Sequence, residues 1–250
     1  MSEPALLADG LYKSFGALCV SDNVCFELGG GECLALIGPN GAGKTTLINQ
    51  LSGFVESDAG AIRFAGRDIT HLSPDARARA GLARSFQITS VIPSFSVLEN
   101  VALAVQARAG SSFRFFGRAA GERALNDEAM AALARVRLDD RALSPAGSLS
   151  HGEKRVLELA IALAMKPKAL LLDEPMAGMG REESQQLVAL LADLKATCPM
   201  LLVEHDMDAV FALADRVAVL VYGRIIAGGT PDEIRANAEV KAAYLGEDAA

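Results

Sequence analysis

The stretch GPNGAGKTT, residues 38–46, has the spacing G-x-x-x-x-G-K-[ST] that is typical of a phosphate-binding loop. Gly41 and Gly43 leave the backbone free to turn several N–H groups toward a bound polyphosphate, because no side chain blocks the approach. The apolar run at residues 32–37 predicts a buried strand before the loop, and residues 44–51 predict a helix after it. The phosphates would then lie at a helix N-terminus, where unpaired N–H groups and the helix dipole favour negative charge.

Two side chains at the end of this stretch have chemistry that suits a nucleotide. Lys44 supplies a mobile positive charge for the β- and γ-phosphates, and the Thr45 hydroxyl can ligate Mg²⁺. Gly53 is placed to end the helix. A glycine-rich turn that binds nothing is the alternative, but the order of strand, loop, Lys-Thr pair and helix favours a phosphate site.

The composition narrows the class of protein. The chain of 250 residues can bury a large core, and its formal net charge of −7 argues against a nucleic-acid-binding surface. Glu3, Pro4 and Asp9 interrupt the start, and no apolar run approaches the roughly 18 residues of a membrane span, so we expect a cytoplasmic chain without a signal peptide. The cysteines show no C-x-x-C pairing and are expected to be reduced and mostly buried: Cys19, Cys25, Cys33 and Cys198.

Short apolar runs and helical patterns alternate along most of the chain. Residues 6–28 predict two antiparallel strands with an aromatic segment, 12–16, between them, and residues 60–65 predict another strand before a short helix at 74–81. Further strands are predicted at residues 82–87, 169–172, 200–203, 217–221 and 224–227. Short, unbroken apolar strands between helices indicate an α/β fold with a parallel sheet covered on both faces.

The pattern between residues 88 and 165 is mainly helical. Ser96 and Glu99 match a capping box that begins an apolar helix, and helical patterns return over residues 122–136 and 150–165.

Residues 108–123 are the least regular part of the chain, with glycines, serines and an Arg-Phe cluster at 113–116. We expect a surface excursion there. It is either a solvated loop with a local hydrophobic anchor or a docking surface for a partner.

Polar side chains follow several predicted strands, where the carboxyl ends of parallel strands meet at one edge of the sheet. Asp173 suits Mg²⁺, usually through water, and Glu174 can orient and deprotonate an attacking water. His205 can hold the γ-phosphate and that water in line, and Gln87 can complete the Mg²⁺ shell. Taken singly, each has a plain alternative, such as capping a turn or beginning a helix. Together they predict a catalytic site beside the phosphate loop.

These motifs resemble those of the ATP-binding subunit of an ABC transporter, over nearly the whole chain. The loop is similar to the family's Walker A motif, LLLDEP at residues 170–175 to its Walker B, Phe86-Gln87 to its Q-loop and His205 to its H-loop. LSHGE at residues 149–153 stands where the LSGGQ signature belongs. The signature discriminates best, because other P-loop NTPases lack it.

The resemblance implies a complete set of site residues. Glu174, His205 and Gln87 would be catalytic, and Thr45, Gln87 and Asp173 would bind Mg²⁺. The expected ATP-binding residues are Phe15, which would stack on adenine, Gly38, Pro39, Asn40, Gly41, Ala42, Gly43, Lys44, Thr45, Thr46, Ser150 and Gly152.

The resemblance also implies an architecture and partners. The expected fold is α/β, with a P-loop NTPase (RecA-like) core, an N-terminal antiparallel β subdomain and an inserted α-helical subdomain. The helical subdomain is expected at residues 88–165, and the whole chain, residues 1–250, is expected to form one nucleotide-binding domain. Each ATP would lie between one subunit's Walker A and the Ser150–Gly152 segment of a second, identical or different, ATP-binding subunit. Transmembrane permease subunits would hold the chain at the cytoplasmic face of the inner membrane, with a solute-binding protein acting indirectly. No nucleic-acid partner is expected.

The chain is more closely similar to the branch that serves importers of branched-chain and other hydrophobic amino acids. The segments that carry this likeness are GLARSFQ (81–87), SVLENV (96–101), LSHGE (149–153), DEPMAGM (173–179) and AAYLGE (242–247). Importers of urea and other amides share similar motifs and remain an alternative. A soluble, non-transport ABC ATPase is another, although such proteins usually carry two nucleotide domains, a long coiled coil or basic surfaces. A small-molecule kinase would leave LSHGE and His205 unexplained.

Two departures from the family pattern affect these expectations. His151 and Glu153 replace a glycine and a glutamine of the general signature, as is common in this branch. Gly180 stands where the family usually has Asp or Asn, in a loop that normally contacts the opposite subunit, so coupling across the dimer is expected to differ there.

An apolar stretch follows Gln87 and leads to the capped helix at Ser96. Val91, Ile92 and Phe95 either line a groove for a short cytoplasmic helix of the permease or pack the helical region.

Overall fold

The computed structural model describes residues 3–84, 91–109 and 119–242, with side chains from residue 123 onward in the last range. The chain divides into two compact units. The first comprises Met1–Arg84, Lys168–Pro175 and Leu191–Ala250, and the second comprises Ser85–Pro167 and Met176–Leu190. Within the described residues, no helix has the length and apolar character needed to cross a membrane.

The described residues form ten strands and nine α-helices. The strands are β1 (Leu6–Phe15), β2 (Leu18–Leu28), β3 (Cys33–Ile37), β4 (Ala59–Phe64), β5 (Arg67–Asp68), β6 (Leu82–Arg84), β7 (Ala169–Asp173), β8 (Met200–Val203), β9 (Arg216–Val221) and β10 (Arg224–Gly229). The helices are α1 (Lys44–Ser52), α2 (Pro74–Ala80), α3 (Val97–Arg108), α4 (Ala119–Arg135), α5 (His151–Ala164), α6 (Arg181–Lys195), α7 (Met207–Leu213), α8 (Pro231–Ala236) and α9 (Ala238–Val240). Short 3₁₀ turns lie at Asp139–Arg141 and Ala146–Ser148.

The first unit contains both sheets. A four-stranded antiparallel sheet has the order β2-β1-β4-β5, and a six-stranded sheet has the order β10-β9-β3-β8-β7-β6. In the larger sheet, β9, β3, β8, β7 and β6 run parallel, and β10 pairs antiparallel with β9 at the edge. The predicted α/β fold class, with an antiparallel β region beside a mainly parallel sheet, is confirmed.

Strand β3 shows why the larger sheet is covered on both faces, because alternate residues of a strand point to opposite sides. Leu34 and Leu36 belong to a buried cluster that includes side chains of α1 and of the antiparallel sheet. Ala35 and Ile37 belong to a second cluster that includes side chains of α7 and α8. All five residues of β3 are buried, which explains its unbroken apolar sequence.

The second unit is helical, and local sequence signals fix where two of its helices, α3 and α5, begin. Ser96 and Glu99 form a complete capping box at α3, and Ser150 and Glu153 form another at α5. Helices α3, α4 and α5 pack against one another. The predicted limits of a helical subdomain, residues 88–165, stay a prediction.

Two local predictions were wrong. The aromatic segment that was expected between the first two strands belongs to β1 as far as Phe15, and the turn lies at residues 16–17. The cysteines are all free, but Cys19 and Cys25 are exposed, and only Cys33 and Cys198 are buried. Cys25 is exposed because it follows the buried Val24 in β2 and therefore points to the opposite face.

Candidate nucleotide-binding site

The phosphate loop between β3 and α1 is pressed against neighbouring backbone. A Cβ atom at Gly38 would lie 2.0 Å from the Leu220 carbonyl oxygen, and one at Gly43 would lie 2.4 Å from the Val20 carbonyl oxygen. Gly43 also has a φ of 106°, in the left-handed region. Gly41, with a φ of 79°, faces open space. Glycine is therefore required at residues 38 and 43 by close packing, and at residue 41 by backbone conformation alone.

Helix α1 begins with its N–H groups available. Gly43 is its N-cap, no side chain of the described residues caps it, and its first turn has no acidic residue. The first N–H groups of a helix have no partner within the helix, so this end can bind an anion. The first-turn residue Thr45 is exposed, as is Asn40 in the loop. The predicted end of the helix at Gly53 is confirmed by its left-handed cap, with a φ of 84°.

The Lys44 ammonium lies within the loop. Its Nζ donates hydrogen bonds to the carbonyl oxygens of Gly38 at 2.7 Å and Pro39 at 3.0 Å, and the residue is 6% exposed. Burial lowers the pKa of Lys44, while the nearby carboxylates of Glu174 and Asp173 act to raise it. The amine therefore lies in the field of the two carboxylates predicted to act on the nucleotide.

Asp173, the last residue of β7, carries a carboxylate with one oxygen engaged and the other without a partner. Its side chain is fully buried, and Oδ2 accepts a hydrogen bond from Arg84 Nη2 at 3.0 Å. Oδ1 has no hydrogen-bond partner among the described residues. Burial raises the pKa of Asp173, against the lowering effect of the Arg84 guanidinium. A buried oxygen without a partner is costly, and a hard cation or a water bound to one would satisfy it. Asp173 therefore fits the Mg²⁺ site predicted from the sequence.

Glu174 and His205 meet at the ends of adjacent strands. The distance from His205 Nε2 to Glu174 Oε1 is 2.8 Å. Glu174 has a φ of 50°, in the left-handed region that non-glycine residues rarely occupy, and its N–H donates to the Val203 carbonyl oxygen at 2.8 Å. Such a conformation costs about 1–3 kcal/mol and is typically kept at functional sites.

Among the remaining predicted residues, the structure describes Phe15 but not Gln87. Phe15 ends β1 and is 52% exposed, with Lys13 Nζ 5.4 Å from the centre of its ring. It therefore presents a ring to solvent, as an adenine platform requires. Gln87, with Phe86, lies outside the described residues.

The signature segment belongs to the second unit. Ser150 Oγ accepts a hydrogen bond from the Glu153 N–H at 3.1 Å, and Glu153 Oε2 accepts one from the Ser150 N–H at 2.7 Å. Glu153 Oε1 also pairs with Arg141 Nη1 at 2.8 Å. A serine hydroxyl has a proton to donate in addition to accepting, so Ser150 keeps one hydrogen bond for a ligand.

The two departures from the family pattern lie close together in this unit. His151 Nε2 is 3.2 Å from the Ala177 carbonyl oxygen, and the Gly180 N–H donates to Glu183 Oε2 at 3.1 Å. A Cβ atom at Gly152 would lie 2.7 Å from Glu183 Oε1, so the same carboxylate contacts both the signature and residue 180. Glu183 could not be singled out from the sequence, because helix α6 has other charged residues, including Glu182 directly beside it.

Comparison with known proteins gives the family. The protein-family model described as ABC transporter matches residues 21–177 of this chain. A second family model, described as Branched-chain amino acid ATP-binding cassette transporter, matches residues 224–250. The high-affinity branched-chain amino acid transport ATP-binding protein LivG of Salmonella typhimurium is 39% identical, with 99% of this chain and 100% of the relative covered. The corresponding BraF of Pseudomonas aeruginosa is 37% identical, with the same coverage.

Solved structures agree with this result. The ADP conformation of MJ1267, an ATP-binding cassette of an ABC transporter, has a TM-score of 0.86 and 28% identity, covering 98% of this chain and all of that one. A nucleotide-free ATP-binding cassette from an ABC transporter has a TM-score of 0.84 and 28% identity, covering 97% and 99%. The chain therefore belongs to the ABC transporter family, as one of its ATP-binding cassettes.

Proposed function

We propose that this chain binds and hydrolyses ATP to drive the import of branched-chain or other hydrophobic amino acids through a separate permease. The observation that carries the hydrolytic part is the Glu174–His205 contact, beside a carboxylate whose Oδ1 is free to face a cation. The amino-acid substrate is supported by the full-length similarity to LivG and BraF, whose names state that transport.

The site residues divide the chemical work. Backbone N–H groups of the phosphate loop and the Lys44 side chain bind the phosphates, and Phe15 stacks on the adenine. Thr45, Gln87 and Asp173 would hold Mg²⁺, which when bound neutralises charge on the phosphates.

Hydrolysis itself depends on two residues. Glu174 takes a proton from the water whose oxygen attacks the γ-phosphorus. The bond to the β–γ bridging oxygen breaks, and ADP leaves with that electron pair. His205 keeps the Glu174 carboxylate and the γ-phosphate in line.

The active form we propose is a head-to-tail dimer of ATP-binding subunits. Helix α5 of one subunit would point its N-terminus, with Ser150 and Gly152, at the γ-phosphate held by the other. Each chain would act as one nucleotide-binding domain, residues 1–250, with residues 88–165 as its helical subdomain. The dimer would lie on the cytoplasmic face of the membrane, attached to permease subunits that receive amino acids from a solute-binding protein.

The permease contact we propose lies on the loop before α3. Ile92 and Phe95 are 37% and 38% exposed, and Val91 is half-buried. Asn100 holds this loop to α3, because its Oδ1 accepts from the Ile92 N–H at 2.8 Å and its Nδ2 donates to the Ile92 carbonyl oxygen at 3.1 Å. A fixed backbone with exposed apolar side chains suits a helix from a partner. Residues 88–90 lie outside the described part of the chain.

The test uses proteoliposomes that hold this chain with the permease and binding protein encoded beside its gene. ATP-dependent uptake of labelled leucine is expected with the wild type and is expected to be lost with Glu174→Gln. Uptake of labelled urea but not leucine would replace the amino-acid substrate with an amide. ATP hydrolysis by a chain that never assembles with the permease would overturn the transport function.

A further inference from the structure

Arg84, the last residue of β6, contacts the proposed cation site without being one of its predicted residues. Its Nη2 donates to Asp173 Oδ2 at 3.0 Å, and the side chain of Arg84 is 11% exposed while that of Asp173 is fully buried. Its Nη1 donates to Asn49 Oδ1 at 2.6 Å and to Ser52 Oγ at 3.2 Å. The guanidinium thus joins the strand that ends in Asp173 to helix α1.

The position of the guanidinium is determined from several directions. Strand pairing sets Arg84 opposite Leu171 of β7, two residues before Asp173. The Phe54 ring lies beneath the group, with its centre 5.7 Å from Arg84 Cζ. Because a guanidinium is planar and presents its donors in fixed directions, these contacts fix its orientation.

The contact with Arg84 makes the two carboxylate oxygens of Asp173 different from each other. With Oδ2 held by Arg84, the carboxylate cannot rotate freely, and Oδ1 stays buried without a partner. Helix α1, which Arg84 also binds, begins at Lys44 and carries Thr45 in its first turn. The same side chain therefore fixes Asp173 relative to the helix that carries the other proposed ligand.

We propose that Arg84 is a positioning residue of the divalent-cation site: it holds Asp173 Oδ2 so that Oδ1 remains directed to the cation, at a fixed place relative to Thr45. This inference rests on the proposed function, because it assumes that Asp173 serves Mg²⁺. Arg84 does not contact the cation or the nucleotide in this role. Residues that orient a metal ligand typically change metal affinity by about 10- to 100-fold when removed.

A purely structural role for the buried pair is the competing explanation, and Arg77 provides a matched control. Arg77 is 2% exposed and also binds the end of α1, donating to the carbonyl oxygens of Gln50 at 2.6 Å and Leu51 at 2.7 Å. Its other hydrogen bonds go to the Thr70 and Leu72 carbonyl oxygens. Loss of Arg77 is therefore expected to weaken the fold without touching Asp173.

The experiment measures the Mg²⁺ concentration at which the binding of a fluorescent ATP analogue reaches half of its maximal tightening. All variants are made on Glu174→Gln, so that turnover does not interfere. Arg84→Met is expected to raise this midpoint about 10- to 100-fold, with nucleotide affinity in EDTA unchanged. Arg84→Lys keeps the charge but not the planar group and is expected to give a smaller rise. Arg77→Met is expected to lower the unfolding temperature and leave the midpoint unchanged.

The outcomes separate this inference from the proposed function. A raised midpoint in Asp173→Asn with an unchanged one in Arg84→Met would overturn the positioning role alone. An unchanged midpoint in Asp173→Asn would overturn the proposed cation site and the inference with it. If Arg84→Met does not fold, Arg84→Lys and Asn49→Ala decide, and unchanged midpoints in both would overturn the inference.

Discussion

His205 Nε2 lies 2.8 Å from Glu174 Oε1, and this contact joins the first residue after β7 to the second residue after β8, two paired parallel strands. The left-handed backbone of Glu174 turns the chain immediately after Asp173. Neighbouring carboxylates consequently have different surroundings: Asp173 is fully buried against Arg84, whereas the Glu174 side chain is 28% exposed. This difference suits a fixed cation partner and a base that meets water.

Replacing Glu174 by glutamine is expected to reduce ATP turnover by ~10²–10⁴-fold, the usual contribution of a general base. The amide keeps the shape of the side chain but cannot accept the proton, so nucleotide affinity should remain. Phosphate release and calorimetric binding measure the two effects. Hydrolysis at the wild-type rate would show that Glu174 is not the base.

Lys44→Ala is expected to act on binding instead. The variant loses the charge that the loop holds through the Gly38 and Pro39 carbonyl oxygens, so calorimetry should show weaker affinity for ATP. Lys195→Ala, which removes an ion pair with Asp215 that involves none of the predicted nucleotide-binding residues, serves as a control with affinity expected to be unchanged. Equal affinities for ATP in wild type and Lys44→Ala would contradict the role of this lysine.

Two glycines of the loop should respond differently to alanine. Gly43→Ala places a Cβ atom 2.4 Å from the Val20 carbonyl oxygen, so the loop must move and nucleotide binding should be lost. At Gly41→Ala the new Cβ atom meets no atom within 4 Å, so the main effect is the strain of a left-handed φ, which costs about 1–2 kcal/mol of folding free energy. Thermal unfolding with and without ATP measures both. An equal loss of ATP-induced stabilisation in the two variants would disprove the packing argument.

The sequence predicted the features that depend on local spacing. The loop, the capping box at Ser96 and Glu99, and the strand ends that carry Asp173, Glu174 and His205 could all be read this way. Arg84 could not, because its role depends on the pairing of β6 with β7 and on the position of α1, which are set by contacts far apart in the chain.

The cysteines show that residue type alone does not predict which side chains are buried. Their apolar character suggested burial, but Cys25 lies on the face of β2 opposite to the buried Val24, and Cys19 lies in the exposed first part of that strand beside Leu18. Burial raises the pKa of Cys33 to about 12, so its thiol stays protonated at pH 8. A thiol reagent at that pH is therefore expected to modify two cysteines in the native protein and all four after unfolding. Modification of Cys33 in the native protein would contradict its burial.

The signature should matter only across the proposed dimer. Ser150→Arg in the Glu174→Gln background is expected to block ATP-driven dimerisation through bulk and charge, while one chain still binds nucleotide. Ser150→Ala controls for the lost helix cap, whose removal costs about 1 kcal/mol. Gel filtration and light scattering with ATP measure the dimer. An unchanged dimer in Ser150→Arg would argue against contact between the signature and a partner's phosphates.

Coupling to the permease should depend on the exposed loop before α3. Replacing Val91 and Ile92 by serine removes apolar surface but leaves the Ile92 backbone bonds to Asn100, so the loop should keep its shape. The ATPase activity of the isolated subunit should persist, because the substitutions do not change the ATP site. Assembly with the permease and leucine transport should be lost, because the proposed permease-binding surface is removed. Leu103→Ser, at another exposed apolar position on α3, is the matched control and should leave transport unchanged. If Val91 and Ile92 instead pack the helical region, the double variant will lose folding and ATPase together, since a buried hydroxyl without a partner costs about 1–3 kcal/mol at each position.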